Sequence, residues 1–268
     1  MILANHGIVS SSGASFDADA LSFITAASIT DNTQKTAINN LVKELKQNSI
    51  YTKFKAIYPF LGGTGGKHRF NLIKPTMLFS DFYMTFYGGG THSATGWKLN
   101  GVDAAADTSI IPITHMASNQ NNMCFSAYVR ERPKGTLVGT DNLQRTVLAP
   151  NTSGTTTGLS YYALNSIYDS ATTTNLPLTG GFYMNTRLDN TNLKLFKNGV
   201  LNSSVTNVTT GLDNLSILLG ARNGYPASLY SDNEIAFASI GSGLTDAEAT
   251  AFYNAVQAYQ TTLNRQVP

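Results

Sequence analysis

Two neighbouring acids are the first candidates for chemistry in this chain. Asp232 and Glu234, in the stretch SDNE, stand two positions apart, so on a strand both carboxyl groups would share a face. Retaining glycoside hydrolysis needs two carboxyl groups about 5 Å apart. The third acid of an E-x-D-x-x-E arrangement is missing. We therefore interpret the pair as a turn followed by the start of a strand, and we expect no enzymatic activity.

Nucleophiles and metal ligands are scarcer still. No serine stands in a G-x-S-x-G sequence, and Cys124 lies in an apolar run that indicates a packed side chain. The four histidines do not show a zinc-binding spacing. We predict no metal and no cofactor. Calcium stays open as an alternative in loops that contain Asp103, Asp107, Asp141 or Asp189.

Aromatic side chains are the candidates for holding a glycan, because an aromatic face can pack against a sugar ring. The candidate residues are Trp97, Tyr161, Tyr162, Tyr168, Tyr225 and Tyr230. Tyrosines on strands also pack in cores, with the hydroxyl reaching a polar partner. The alternative for each of these rings is therefore a place in the core.

The N-terminal part of the chain is basic. Residues 31–74 carry an excess of six positive charges, whereas the whole chain has a net charge of +2. A nucleic-acid surface would combine such charge with stacking aromatic residues, so we do not expect nucleic acid. We predict instead that an acidic partner surface contacts Lys43, Lys46, Lys53 and Lys55. A solvated helix face is the alternative.

Helices are predicted at both ends of the chain. The first sixty residues place apolar side chains at helical spacing, Leu21 with Ile24 and then a group from Ile38 to Leu45. Near the C-terminus, Thr245 and Glu248 form a T-x-x-E capping box. The stripe that follows predicts a helix packed on a core; it consists of Phe252, Val256, Tyr259 and Leu263.

Between these helices the pattern is that of short strands. Charged residues make up only 13% of the chain, and polar turn residues are abundant. Strand-like segments follow one another: MLFSDFYMTFYG, NMCFSAYVRE, QRTVLAP, GLSYYAL, GGFYMNTRL, LKLFKNGVL, LSILLGAR and EIAFASIG. Asn-Gly pairs at Asn100, Asn198 and Asn223 are hairpin candidates. We predict a mainly β fold, an antiparallel two-sheet sandwich over about residues 70–241.

The closing segments resemble a known architecture. LKLFKNGVL, SILLGARNG and NEIAFASIGSGLTDAEATAFYNAVQAYQ are similar to the second half of concanavalin A-like, laminin G-like jelly-roll modules, where L-T-D-A-E opens a short helix. Together with ALSFITAASITDNTQKTAINNLVKEL, YPFLGGTGGKHRFNL and GGGTHSATGWKLNGVDAAADT, nearly the whole chain resembles structural proteins of tailed bacteriophages. The resemblance implies a virion component exposed to host glycans, and it supplies no catalytic residues.

Three functional classes follow from these observations. The leading expectation is a phage virion structural or appendage protein (head, fibre or tail) that contacts other virion proteins, forms a homo-oligomer and is made in the host bacterial cytoplasm. The alternatives are a lectin-like module for a host glycan and, third, a polysaccharide hydrolase. We predict a helical appendage at residues 1–66 and a jelly-roll sandwich with its C-terminal helix at residues 67–268. No membrane span is expected, because no apolar run is long enough.

Overall fold

The structure is a computed structural model, and it describes residues 15–151, 161–166, 170–171, 178–206, 208–224 and 226–267. The helices are α1 (Ala18–Ala26), α2 (Asn32–Gln47), α3 (Gly65–His68), α4 (Pro112–His115) and α5 (Asp246–Thr262). The first strands are β1 (Phe54–Tyr58), β2 (Thr85–Tyr87), β3 (Thr91–Ser93), β4 (Gly96–Lys98), β5 (Ala105–Asp107), β6 (Met123–Val129), β7 (Val138–Asp141) and β8 (Arg145–Ala149). The remaining strands are β9 (Tyr161–Ser166), β10 (Ser170–Ala171), β11 (Gly181–Arg187), β12 (Asn192–Lys197), β13 (Val200–Thr206), β14 (Leu218–Leu219) and β15 (Glu234–Gly241).

The strands form two antiparallel sheets that face each other, as predicted. The first sheet has the order β13-β12-β11-β6-β15-β4-β3, and β1 also pairs with β15. The second sheet has the order β10-β9-β8-β7-β14-β5-β2. The central pairs of the first sheet join strands distant in sequence: Ser126 lies opposite both Met184 and Ser239. The mainly β sandwich expected from the sequence is therefore confirmed.

Strand β6 shows how the first sheet separates two cores. Phe125, Ala127 and Val129 point into the cluster between the sheets, whereas Cys124 and Tyr128 point into the cluster beneath the helices. This alternation is the two-residue period of a strand. Every residue of β6 is buried, because the strand is covered on both faces. The run NMCFSAYVRE is apolar for this reason.

The helices cover the outer face of the first sheet. Helix α5 begins with the predicted capping box, in which Thr245 and Glu248 exchange hydrogen bonds. Phe252 and Val256 are fully buried in the core beneath the helices, and α2 packs against α5. The apolar face of α2 is buried as predicted: Ile38, Leu41, Val42 and Leu45. Both helices are thus held by burial of one apolar face.

The turn at Asn198 and Gly199 is the hairpin that the sequence predicts. Their φ angles of 49° and 72° are both positive, as a type I′ turn requires, and the turn joins β12 to β13. Of the other two hairpin predictions, the one at Asn100 is wrong. Asn100 Oδ1 accepts hydrogen bonds from the backbone N–H of Val102, Asp103 and Ala104. This side-chain-capped loop connects β4 of one sheet to β5 of the other.

Three further predictions differ from the structure. Residues 77–88 contain strand only at β2, because Thr76 and Asp81 bond to each other (2.8 Å) and hold a turn between them. Leu21 is 51% exposed, since α1 buries the face that carries Phe23 instead. The sandwich also begins earlier than residue 70: β1 lies inside the predicted appendage, and the boundary predicted at residue 66 follows this strand.

Candidate functional site

Trp97 lies in the core between the sheets. Its ring is 1% exposed. The His92 ring stacks on it, with centroids 5.8 Å apart and an interplanar angle of 11°, and the Phe86 ring meets it edge-on at 4.8 Å. A ring covered in this way packs as a core side chain, and it has no exposed face on which a sugar could stack.

The tyrosine candidates are only partly within the described structure. Tyr161 and Tyr162 belong to β9, and their side chains lie outside the described part. Tyr168 and Tyr225 also lie outside it. Tyr230 is half-buried and packs against a small apolar cluster that contains Leu218. A glycan platform built from these rings stays a prediction.

Two of the four lysines predicted to contact a partner are paired within the chain. Lys46 Nζ lies 2.7 Å from Asp17 and 2.6 Å from Asp19. Lys53 Nζ lies 2.6 Å from Glu248, the capping-box acid of α5. For these two lysines, the acidic side chains expected from a partner come from this chain itself.

The other two lysines are bound less tightly. Lys43 Nζ donates a hydrogen bond of 3.2 Å to the carbonyl oxygen of Ser15. Lys55 is exposed, with Nζ 5.9 Å from the centroid of the Phe82 ring. Of the four positions, Lys55 leaves the most charge facing solvent.

The acidic pair Asp232 and Glu234 occupies the positions expected of a turn and a strand start. Glu234 is the first residue of β15. Its carboxylate lies 2.8 Å from the guanidinium of Arg130, and Asp232 lies 3.3 Å from Lys134. Each carboxylate thus neutralises a cation of the same chain.

Neither the Cys124 thiol nor the side chains that could ligate a metal form a reactive centre in the described part of the chain. Cys124 is fully buried, and burial raises the pKa of its thiol to about 12, so the side chain is packed and protonated as predicted. Across residues 15–151 and the later described ranges, His, Cys, Asp and Glu do not come together in groups of three that could hold a metal.

A polar cavity of about 190 Å³ lies where β11 ends, β12 and β13 pair, and α5 begins. We call it the Arg187 cavity. It is lined by Thr186, Arg187, Leu188, Asp189, Asn192, Lys194, Ser204 and Leu244. Its volume is below the roughly 300 to 1,000 Å³ of pockets for drug-sized molecules, so it suits a ligand as small as one ring.

Asp189 holds the turn that shapes this cavity. Its Oδ1 accepts hydrogen bonds from the backbone N–H of Thr191 (2.7 Å) and of Asn192 (2.6 Å). Its Oδ2 accepts one from Asn192 Nδ2 at 2.9 Å. These bonds, led by the one from the Asn192 side chain, hold the pKa of Asp189 well below its usual range. The carboxylate therefore stays ionised and keeps Asn192 at the cavity wall.

The cations of the cavity are fixed by their surroundings. Arg187 is 1% exposed. Burial lowers its pKa to about 10, against the opposing effect of the Asp189 charge, so it remains a cation at neutral pH. Lys194 Nζ lies 2.5 Å from Asp246, at the start of α5. The cavity thus combines guanidinium, ammonium, amide and hydroxyl groups with the apolar surface of Leu188 and Leu244.

The sequence alone does not predict this cavity. Six of its eight lining residues lie in one short run, and Ser204 and Leu244 join them only in the folded chain. The only local signal is the run TRLDNTNLK, where an arginine, an aspartate and two asparagines surround one turn between β11 and β12.

Comparisons with known proteins show the fold. No protein-family model and no curated protein matches the chain. Among solved structures, the binding domain of botulinum neurotoxin DC in complex with rat synaptotagmin II is similar over 78% of this chain and 52% of its own, with a TM-score of 0.51 and 12% identity. At that identity the likeness shows a shared β-sandwich and nothing of the function.

Two other similar structures were solved with a saccharide. One is domain 4 of AbnA, a GH43 extracellular arabinanase from Geobacillus stearothermophilus, in complex with arabinotriose. The similarity extends over 75% of this chain and 98% of the AbnA domain, with a TM-score of 0.46 and 18% identity. The other is Trypanosoma rangeli sialidase in complex with sialic acid. The similarity extends over 81% of this chain and 38% of the sialidase chain, with a TM-score of 0.49 and 12% identity. The chain spans about half of the neurotoxin chain and about two-fifths of the sialidase chain.

No helix within the described ranges is both long and apolar enough to cross a bilayer.

Proposed function

We propose that this chain is a non-enzymatic, lectin-like binding module that holds a glycan in the Arg187 cavity. The observation that carries the proposal is the lining of that cavity, where Arg187, Asn192, Lys194 and Ser204 surround a small space edged by leucine. A sugar offers hydroxyl groups that both donate and accept hydrogen bonds, together with apolar C–H faces. The lining matches both properties.

The site is rigid enough for such recognition. Asn192 is held by the Asp189 turn and Lys194 by Asp246. Thr186 Oγ1 accepts a 2.8 Å hydrogen bond from the backbone N–H of Leu244, which ties the end of β11 to the start of α5. Groups already fixed in place lose little conformational entropy when a ligand binds.

Calorimetric titration of the full chain with arabinotriose, lactose and sialyllactose tests the glycan proposal. We expect at least one of the three to bind saturably. Asn192→Ala should weaken that binding about tenfold, because a hydrogen bond to a fixed polar group is worth roughly 1 kcal/mol or more. Asn254→Ala, on the exposed face of α5, is the matched control. Binding that is unchanged in Asn192→Ala, or absent for all three sugars, would contradict the proposal.

The non-catalytic role has its own test. Arg130 and Lys134 already pair with Glu234 and Asp232, so we expect the two acids to support folding only. Replacing both, as Asp232→Asn with Glu234→Gln, should leave any glycan cleavage found with the protein unchanged. A loss of cleavage in a folded double variant would make the chain an enzyme.

We further propose that the module is a component of a tailed-bacteriophage virion and contacts other virion proteins or further copies of itself. The resemblance of nearly the whole chain to phage structural proteins supports this role. So does an exposed apolar turn at Met77, Leu78 and Phe79, whose exposed fractions are 72%, 58% and 60%. Adjacent exposed apolar side chains are typical of contact surfaces.

Mass spectrometry of purified virions tests the particle role. We expect the chain at a fixed stoichiometry to the major capsid protein, and a triple serine variant at Met77, Leu78 and Phe79 should reduce its incorporation. Detection of the chain only in the cytosol of infected cells would contradict the proposal.

A further inference from the structure

A second cavity lies at the other end of the same hairpin and contains a buried lysine. Lys197, the last residue of β12, is 7% exposed. Its Nζ donates hydrogen bonds to the carbonyl oxygens of Gly180 (2.5 Å) and Thr179 (3.2 Å). Nζ also lies 4.2 Å from the centroid of the Tyr183 ring. Within the described ranges, Lys197 does not form an ion pair with any carboxylate.

The surrounding space is about 290 Å³ and is open to solvent at one side. We call it the Lys197 cavity. It is lined by Thr179, Lys197, Asn198, Val200, Leu201 and Asn202. Val200 and Leu201 form an apolar rim, with 69% and 42% of their surface exposed. None of these residues lines the Arg187 cavity, so the two sites are separate.

Asn202, which also lines this cavity, carries a buried acceptor without a partner in the described part of the chain. It is the extra residue of a β-bulge, because Leu195 pairs with Ser203 and Phe196 pairs with Leu201. Its Oδ1 is buried and has no hydrogen-bond partner among the described residues. Buried acceptors almost always have a donor. The β-bulge thus leaves a buried acceptor without a described donor at a residue that lines the cavity, and β-bulges are over-represented next to functional sites.

The two groups define what would complete the site. A buried ammonium without an opposite charge is costly, and an anion that reaches it restores the lost interaction. The carbonyl groups of Thr179 and Gly180 engage two of the three N–H donors of Lys197, which leaves one for a ligand. Asn202 Oδ1 requires a donor, such as a hydroxyl group. Val200 and Leu201 offer apolar contact for a short carbon skeleton.

We propose that the Lys197 cavity binds a small hydroxy-carboxylate, with the carboxylate on the Lys197 ammonium and the hydroxyl donating to Asn202 Oδ1. The same chemistry is present in a free hydroxy acid and in the uronic acid unit of an acidic glycan. The site is separate from the glycan site proposed above, because the two cavities share no lining residue.

The burial of the Lys197 side chain is consistent with binding of a carboxylate. It lowers the pKa of Lys197 to about 7, so a bound carboxylate should raise the pKa again by stabilising the ammonium form.

Calorimetric titrations of the full chain at pH 6 with lactate, propionate, glucuronate and glucose test the proposal. We expect lactate to bind more tightly than propionate, which lacks the hydroxyl, and glucose not to bind here. Lys197→Met should weaken lactate binding tenfold or more, as expected for a hydrogen bond to a charged group. Asn202→Leu should remove the preference for lactate over propionate. The exposed Lys74→Met is the matched control for loss of one charge.

The arms of this experiment separate the outcomes. Binding of glucuronate but not lactate would assign the site to an acidic sugar, and binding of lactate alone would assign it to a free acid. Equal lactate binding in Lys197→Met, or no saturable binding of any carboxylate, would overturn the proposal. Should Lys197→Met fail to fold, nuclear magnetic resonance of the wild-type lysine side chains decides. The pKa of Lys197 must rise on addition of the carboxylate that binds, and an unchanged value would also overturn it.

Discussion

The Nδ1 atoms of His68 and His92 lie 2.9 Å apart, so one imidazole donates a hydrogen bond to the other. This bond joins α3 to the edge strand β3. The His68 ring packs edge-on against Phe60, with centroids 5.4 Å apart. Its Nε2 is buried and has no hydrogen-bond partner among the described residues. Burial, with smaller effects from His92 and Arg265, lowers the pKa of His68 to about 3.

The His68 environment predicts acid sensitivity. The unfolded chain titrates this histidine near pH 6.5, whereas the folded chain titrates it near pH 3. Between these values the unfolded state binds more protons, so the free energy of unfolding falls as the pH is lowered from about 6.5. His68→Asn keeps a group that can bond to His92 Nδ1 but does not titrate. We expect it to flatten the decline in chemical-denaturation experiments between pH 6.5 and 4; parallel curves would contradict this account.

The hydrogen bonds of Arg265 predict a loss of folding stability when this side chain is replaced. Its fully buried guanidinium donates hydrogen bonds to Gln260 Oε1 at 3.0 Å and to the carbonyl oxygens of Phe60 (2.9 Å), Pro59 (3.3 Å) and Ala236 (3.3 Å). It therefore ties the end of the chain to β15 and to the segment after β1.

Arg265→Lys keeps the charge but cannot span these acceptors. Each buried acceptor left without a donor costs about 1 to 3 kcal/mol, so we expect destabilisation of at least about 2 kcal/mol in urea unfolding. Lys74→Arg on the surface should change little. A neutral effect of Arg265→Lys would show that water replaces the guanidinium.

The features that the sequence predicted correctly are those set by residues close together along the chain. The Thr245 and Glu248 box, the apolar stripe of α5 and the Asn198 turn each depend on residues close in sequence, and all three are present. The alternation along β6 was hidden, because a strand covered on both faces reads as one apolar run. The class of fold could therefore be predicted, but the placement of helices over the first sheet could not.

The sites could not be predicted, because the burial of a side chain and the partner that it meets are set by the three-dimensional fold. Trp97 was chosen for its large ring, yet its position on β4 turns that ring into the core. Lys53 was assigned to a partner because Glu248 lies 195 positions away in sequence. Lys197 is buried where its ammonium contacts the carbonyl oxygens of Thr179 and Gly180, and no sequence pattern indicates this contact.

The Asn198–Gly199 turn predicts a position-specific glycine effect. Gly199 has a φ of +72°, and a Cβ there would lie 2.7 Å from Tyr253 Cδ1 on α5. We expect Gly199→Ala to lower the free energy of unfolding by about 1 to 2 kcal/mol from backbone strain, with a further loss from the contact. Gly66→Ala is the matched control, because a Cβ at Gly66 would meet nothing within 4 Å. Equal effects of the two substitutions would contradict the assigned turn.

Lys197 predicts a pH effect on stability that needs no ligand. Its pKa is about 7 in the folded chain, whereas an unfolded lysine titrates near 10.4. Between these values the unfolded state binds more protons, so the free energy of unfolding should rise with pH from about 7.

The groups around Lys197 do not add a competing titration in this range. The facing ring of Tyr183 is buried, which raises the pKa of its hydroxyl above the usual value, so Tyr183 stays neutral to at least pH 9.5. The other contacts of the ammonium are the carbonyl oxygens of Thr179 and Gly180, which do not titrate.

Lys197→Met fills similar space without a charge and should remove the rise. We expect the unfolding free energy of the wild type, relative to Lys197→Met, to increase steadily between pH 6.5 and 9.5 in urea titrations. The loss of two hydrogen bonds in the variant shifts all values equally and leaves the slope unaffected. Lys74→Met, whose side chain is 66% exposed, should follow the wild-type slope. If Lys197→Met also follows it, the ammonium is solvated and the buried-cation account of this cavity fails.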